Sequence, residues 1–256
     1  MVRSLYTACT GMVHQMNRLD VVTNNMANSD TTAYKKEGST SQSFDSVYGI
    51  KINDSSVNYI HQNIGRMSLG VKVGETYTDY GDGNLEETEQ LYDMALSGKG
   101  FFAISYADRN GNESVRYTRD GNFTVNSQGV LVTKDGDFVL AEDGGLINIP
   151  EGVKISVDES GRITADGQEI AQLNLVDFED YNYLKKFGEN MYIAIDGATT
   201  TDAQCKVHQG YLEASNVNVV TEMVDMITIT RDYESNQKVI QTIDSTLEKS
   251  VALGRV

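Results

Sequence analysis

The chain is 256 residues long, enough for one large domain or two ordinary ones with a buried core, and that argues against disorder throughout. It carries 21 basic against 37 acidic side chains, a net charge of -16, and the acid excess belongs to the middle, since residues 1–36 set Arg3, Arg18, Lys35 and Lys36 against Asp20 and Asp30 alone. Without a Lys/Arg cluster a nucleic-acid partner is excluded, because that affinity comes mainly from neutralised phosphates. No stretch approaches the roughly 18 apolar residues of a membrane span or the apolar core of a cleaved secretory signal, so by the usual routes a soluble cytosolic protein is expected, with no membrane insertion.

From the N-terminus, apolar side chains fall at Leu5, Cys9, Met12, Met16, Leu19 and Met26, with Thr23 between the last two. The steps alternate between four and three, a heptad seam that predicts an amphipathic helix packed on another helix. Cys9 reads as a small core residue, and with Cys205 far away and no CxxC pair, neither a disulfide framework nor a zinc site is indicated. The stretch NMANSDTTAYKK, Asn25 to Lys36, then ends the run of helix formers at a cluster of small polar residues and restarts with an aromatic and two lysines.

Residues 37–96 follow as an extended or β linker region. Over 97–211 the signal becomes short β-rich runs, among them GKGFFAIS, VRYT, NFTVN, GVLVT, DFVLA and AQLNLVDF. They are punctuated by Asn110-Gly111, Asp120-Gly121, Asp135-Gly136, Asp143-Gly144, Asp166-Gly167 and Asp196-Gly197. Asx-Gly supplies the positive φ angles of tight hairpin turns, and the spacing fits a mainly-β domain.

Over 212–256 a second helix is expected, capped by Asn218 with Glu222 in its first turn, and striped by Met226, Ile229, Tyr233, Asn236, Ile240, Ile243 and Leu247. From Asn218 to Leu253 it would run roughly 54 Å at 1.5 Å per residue. The fold class is therefore α+β: long N- and C-terminal helices forming a coiled-coil-like module, with a mainly-β domain inserted. The two seams could pair with each other in one chain or seek partners in other subunits; the spacing alone allows both.

Chemistry is sparse. His14, His61 and His208 are scattered, and Cys205 to His208 is a lone CxxH, too few ligands for a metal. The acidic loop Asp79 to Asn84 puts Gly81 and Gln90 where an EF-hand needs ligands, so it reads as a turn-rich surface loop. GKGFF runs into a strand and lacks the order of a phosphate loop, and no GxSxG, HExxH or kinase set occurs. No catalytic residue, cofactor, metal or small-molecule substrate is expected.

Three blocks carry a resemblance. The first is Ser4-Leu5, Ala8, Gly11-Met12, Asp20, Asn24-Asn25-Met26-Ala27-Asn28, Thr32 and Tyr34-Lys35; the second is ALSGKGFF, YTRDGNF and GVLVTKDG; the third is QGYLEASNVNVVTEMVDMITITRDYESNQKVIQ. In this order they resemble the flagellar basal-body rod and hook family of bacterial axial proteins over nearly the whole chain, with the last block most similar to distal-rod and proximal-rod members. Ala33 departs from the pattern, which usually has Gly in that turn, and alanine tolerates positive φ poorly, by about 1 kcal/mol.

The resemblance implies a structural subunit that is not an enzyme. It would polymerise through its terminal helices into the shaft that carries torque from motor to hook, with the β domain outside. Leu5, Cys9, Met12, Met16, Leu19, Met26, Met226, Ile229, Tyr233, Ile240, Ile243 and Leu247 become subunit-interface candidates, largely unordered in the free monomer and folded on incorporation. Asn24, Asn25, Asn28, Thr32, Tyr34 and Lys35 become the helix-exit segment, where amides and hydroxyls satisfy free backbone groups. The implied partners are copies of the chain, neighbouring rod and hook subunits and the flagellar type III export apparatus. The implied place is the basal body, outside the cytoplasmic membrane, reached without a cleaved signal. Two other readings remain: a hook-type subunit, and a secreted carbohydrate-binding or hydrolytic β domain with dimerising helices. Against the latter stands the absence of tryptophan for sugar stacking.

Overall fold

A computed structural model describes residues 2–52, 61–108, 113–150 and 152–254. Among them two long helices bracket a series of short strands, an α+β arrangement. The chain gathers into two compact units, one from residues 1–27, 37–79 and 218–256, the other from residues 28–36 and 80–217.

In the first unit, α1 spans Val2–Ala27 and α2 spans Val219–Leu253. The second helix starts where the sequence places it: Asn218 is extended, and its side chain accepts a hydrogen bond from Thr221 N at 3.2 Å. The helices run antiparallel. Gly11 lies against Asn236, Gln15 Nε2 donates to Asp232 Oδ2 at 3.1 Å, and Asn25 Nδ2 donates to Glu222 Oε2 at 3.3 Å. These contacts advance by equal steps along both helices, so among the described residues the last turns of α2 extend past the start of α1.

The C-terminal stripe behaves as its spacing predicts. Ile229 is buried, Met226, Tyr233, Asn236, Ile240 and Ile243 are half-buried, and Leu247 is exposed on the overhang.

The N-terminal stripe is turned from its expected position. Ala8, His14, Val22 and Asn25 are buried, Leu5, Met12, Leu19 and Met26 are half-buried, and Cys9 and Met16 are exposed. Cys9 is thus a surface thiol, not a core residue. The reason is that α1 is covered on two sides, by α2 and by an antiparallel ribbon of Glu37–Ser43 with Val71–Thr78. That ribbon and a second antiparallel pair, Val47–Ile52 with His61–Met67, lie within the stretch expected to be an extended or β linker. Gly70 approaches α1 so closely that a Cβ would fall 2.1 Å from Thr10 Oγ1.

The second unit is built on a nine-stranded antiparallel sheet around Phe101–Ala107, which pairs with Glu113–Thr118 on one side and with Phe138–Val139 and Leu175–Phe178 on the other. Strand alternation divides GKGFF between two cores. Phe102 packs with Phe123, Leu131, Ile147, Ile163 and Leu173, while Phe101 packs with Phe178, Leu184 and Tyr192.

The Asx-Gly signals mostly mark turns. Asp166 and Gly167 have φ of 51° and 81°, joining Arg162–Ala165 to Gln168–Gln172 in a two-residue hairpin. The glycines of Asp135-Gly136, Asp143-Gly144 and Asp196-Gly197 also have positive φ. Gly121 is glycine for another reason: a Cβ there would sit 1.6 Å from the Met94 carbonyl oxygen. Asn110-Gly111 lies outside the described residues.

Candidate functional site

Two features stand out, one buried in the second unit and one exposed on the first. The buried feature is centred on Glu213, at the end of the strand Tyr211–Glu213 that pairs with Leu85–Glu87. Its carboxylate accepts from Lys35 Nζ at 2.6 Å, from Gly83 N at 2.9 Å and, more distantly, from Arg119 Nη1 at 3.5 Å. Lys35 also donates to Gly81 O at 2.8 Å, and Arg119 donates to Asp82 Oδ1 at 2.8 Å and Gly100 O at 3.0 Å. Lys35, Arg119 and Glu213 are all buried, whereas the Asp82 side chain is about half exposed. Burial pulls the Lys35 ammonium below its usual range, and Glu213 opposes that pull.

Around these charges the backbone of the exit segment is bonded to the chain near Asn216. Ala33 N donates to Glu213 O at 2.8 Å, Asn216 N to Tyr34 O at 3.4 Å, and Lys36 N to Asn216 Oδ1 at 2.7 Å. Tyr34 is fully buried, with Lys186 Nζ 3.8 Å from its ring centroid. Ala33 takes φ of 55°, so the turn keeps the left-handed conformation despite lacking glycine. Asp120 receives Asn190 Nδ2 at 2.8 Å, and burial raises its pKa against the Asn122 amide and the Thr32 hydroxyl.

Removing one partner of a buried pair leaves an uncompensated charge and costs about 3–5 kcal/mol, whereas an intact pair adds little over well-packed apolar residues. The junction's contribution is therefore geometric: it disfavours any packing that leaves a charge alone. Its charged groups point at one another, so the arrangement is a structural tie between residues 33–36 and 213–216.

Other exit residues work in the first unit and in the turn. Asn25 mimics a strand partner, its Nδ2 donating to Glu37 O at 2.8 Å and its Oδ1 accepting from Glu37 N at 2.9 Å. Asn28 O accepts from Thr31 N at 3.3 Å just after α1, and Asn24 is exposed. Sequence reasoning found Thr32, Tyr34 and Lys35 but missed Arg119, Asp82 and Glu213. A signal for Glu213 was present, a lone charge ending the apolar strand run Tyr211-Leu212.

The exposed feature is apolar. On α1, Tyr6, Val13 and Met16 are more than half exposed; on α2, so are Val220, Met223, Val224 and Ile227. Each helix spends one apolar face on its partner and shows another to solvent. Among the described residues no helix is long and apolar enough to cross a membrane.

Comparison with known proteins places these features in context. Residues 5–35 match the family described as flagella basal body rod protein, residues 95–165 the flagellar hook protein FlgE/F/G D1 domain, and residues 208–253 the flagellar basal body rod FlgEFG protein C-terminal region. The chain is 33% identical to the flagellar basal-body rod protein FlgG of Buchnera aphidicola subsp. Schizaphis graminum, over 97% of this chain and 98% of that protein. It is 32% identical to FlgG of Bacillus subtilis over the full length of both, and 34% identical to FlgF of Caulobacter vibrioides over 98% of this chain and 96% of that protein.

Proposed function

We infer, because this chain belongs to the flagellar basal-body rod protein family, how its geometry serves a structural subunit of the rod. The observation that carries the reading is the second apolar face on each helix, represented by Met16 on α1 and Val224 on α2. Those faces are the surfaces through which neighbouring rod and hook subunits pack. A contact between unlike patches that does not close on itself propagates as a filament, not a ring.

The interface candidates divide by exposure. Cys9, Met16 and Leu247, joined by Tyr6, Val13, Val220, Met223, Val224 and Ile227, reach neighbouring subunits directly. Leu5, Met12, Leu19, Met26, Met226, Ile229, Tyr233, Ile240 and Ile243 act on the α1–α2 side, and the burial of Ile229 and half-burial of the others within one chain support a paired-helix building block. The buried junction holds together the chain entering and leaving the β-rich unit.

The subunit works by packing and not by catalysis. It reaches the basal body outside the cytoplasmic membrane through the flagellar type III apparatus; a single proline, Pro150, and two cysteines suit passage of an unfolded chain.

The test is complementation of a deletion strain with the wild-type chain or with Met16→Asp combined with Val224→Asp, read by swimming and by electron microscopy of basal bodies. The wild type restores rods, and the double variant is exported but leaves rods absent or truncated. Full-length rods and normal swimming with the double variant would overturn the reading.

A further inference from the structure

His14 lies on α1 where the ribbon of Glu37–Ser43 and Val71–Thr78 covers the helix, and it is only 5% exposed. Its Nε2 shares a 2.8 Å hydrogen bond with Ser41 Oγ on that ribbon, while Nδ1 is buried with no hydrogen-bond partner among the described residues. A serine hydroxyl donates or accepts, so it satisfies Nε2 of the neutral ring in either tautomer. A second proton changes this. The ring then carries two N–H donors, one of them without an acceptor, and a buried positive charge one helical turn from Arg18.

The surroundings offer little to balance that charge. The elements packed at His14 carry Arg18 on α1, Tyr233 and Asp232 on α2, and Glu37, Lys72 and Glu75 on the ribbon. Asp232 accepts from Gln15, and the charge that acts on the ring is the Arg18 guanidinium, not a carboxylate. Burial, and then the Arg18 guanidinium, hold the imidazole's pKa below the ordinary histidine value of 6.5.

We propose that His14 is a proton-sensitive latch, which seats the ribbon on α1 through Ser41 when neutral and releases it when protonated. The sign follows from linkage. A folded-state pKa below 6.5 means that the released form takes up a proton the seated form refuses, so the latch is fully closed above that pH and weakens as pH falls beneath it.

The test is amide hydrogen exchange of the full-length chain between about pH 7.5 and about pH 5.5, a range that spans histidine titration, corrected for intrinsic exchange and read over residues 37–43 and 71–78. In the wild type, protection of both strands falls by a factor of several on acidification. In His14→Gln, which keeps a hydrogen-bonding side chain without the titration, protection stays level, and in Arg18→Gln the fall is smaller. An equal fall in wild type and His14→Gln, or none in the wild type, overturns the latch. Should His14→Gln fail to fold, nuclear magnetic resonance titration of the wild-type imidazole decides: His14 must titrate below the same histidine in a peptide of residues 8–20, and an equal value overturns the proposal.

Discussion

The two units of this chain invert the usual distribution of side chains in opposite ways. The β-rich unit buries Lys35, Arg119 and Glu213, whereas the helical unit leaves Tyr6, Met16, Val220 and Val224 more than half exposed. Buried charges are tolerable where every partner is supplied within the unit, and exposed apolar faces where partners come from outside. At these residues the β-rich unit supplies its own partners, and the helical unit is open to further packing. That contrast can be broken from either side, and the expected effects on folding stability run from several kcal/mol to almost nothing.

The largest effect belongs to Glu213→Ala. It strands Lys35 and Arg119 in the interior beside the half-exposed Asp82 carboxylate, and the expected loss is about 3–5 kcal/mol. Denaturant unfolding of the full chain checks it, and a shift below about 1 kcal/mol would mean that water or a rearranged side chain replaces the carboxylate.

Ile229→Ala comes next. Ile229 is the one apolar residue of α2 buried outright among those described, and truncating a buried isoleucine costs about 2–5 kcal/mol, less where neighbours collapse into the space. Because the α1–α2 seam is a single layer, the lower end is expected, measured as loss of helical circular dichroism at a lower denaturant concentration.

These two sites also differ in how legible they were. Ile229 could be read from the sequence because α2 has one main packing partner, and a three-four repeat reports one face. The α1 stripe misled at Cys9 and Met16 because that helix also meets the ribbon of EGSTSQS and VKVGETYT, whose first strand advertises no apolar periodicity. The ionic junction was half legible. Lys35 lies 178 residues from Glu213, and Arg119 lies 94 from it; no local pattern encodes such a meeting, so the exit segment could be named while its counter-charges could not.

Ala33→Gly sharpens the comparison in the favourable direction. Alanine at φ of 55° carries roughly 1 kcal/mol of strain that glycine lacks, partly offset by the greater unfolded-state entropy of glycine. A net gain of a few tenths to about 1 kcal/mol is expected in the unfolding free energy, with the junction's hydrogen bonds unchanged.

Val224→Asp should do least to folding, and that near-silence is informative. The side chain is more than half exposed, so its replacement removes little burial; on an isolated chain the unfolding midpoint should move by no more than about 0.5 kcal/mol equivalent. If the helical unit is open toward neighbours, the same substitution desolvates a carboxylate in every packed contact and suppresses assembly while leaving the folded subunit intact. A large loss of stability in the isolated chain would instead show that Val224 is covered within its own subunit, and the distinction between a closed and an open unit would fail at that point.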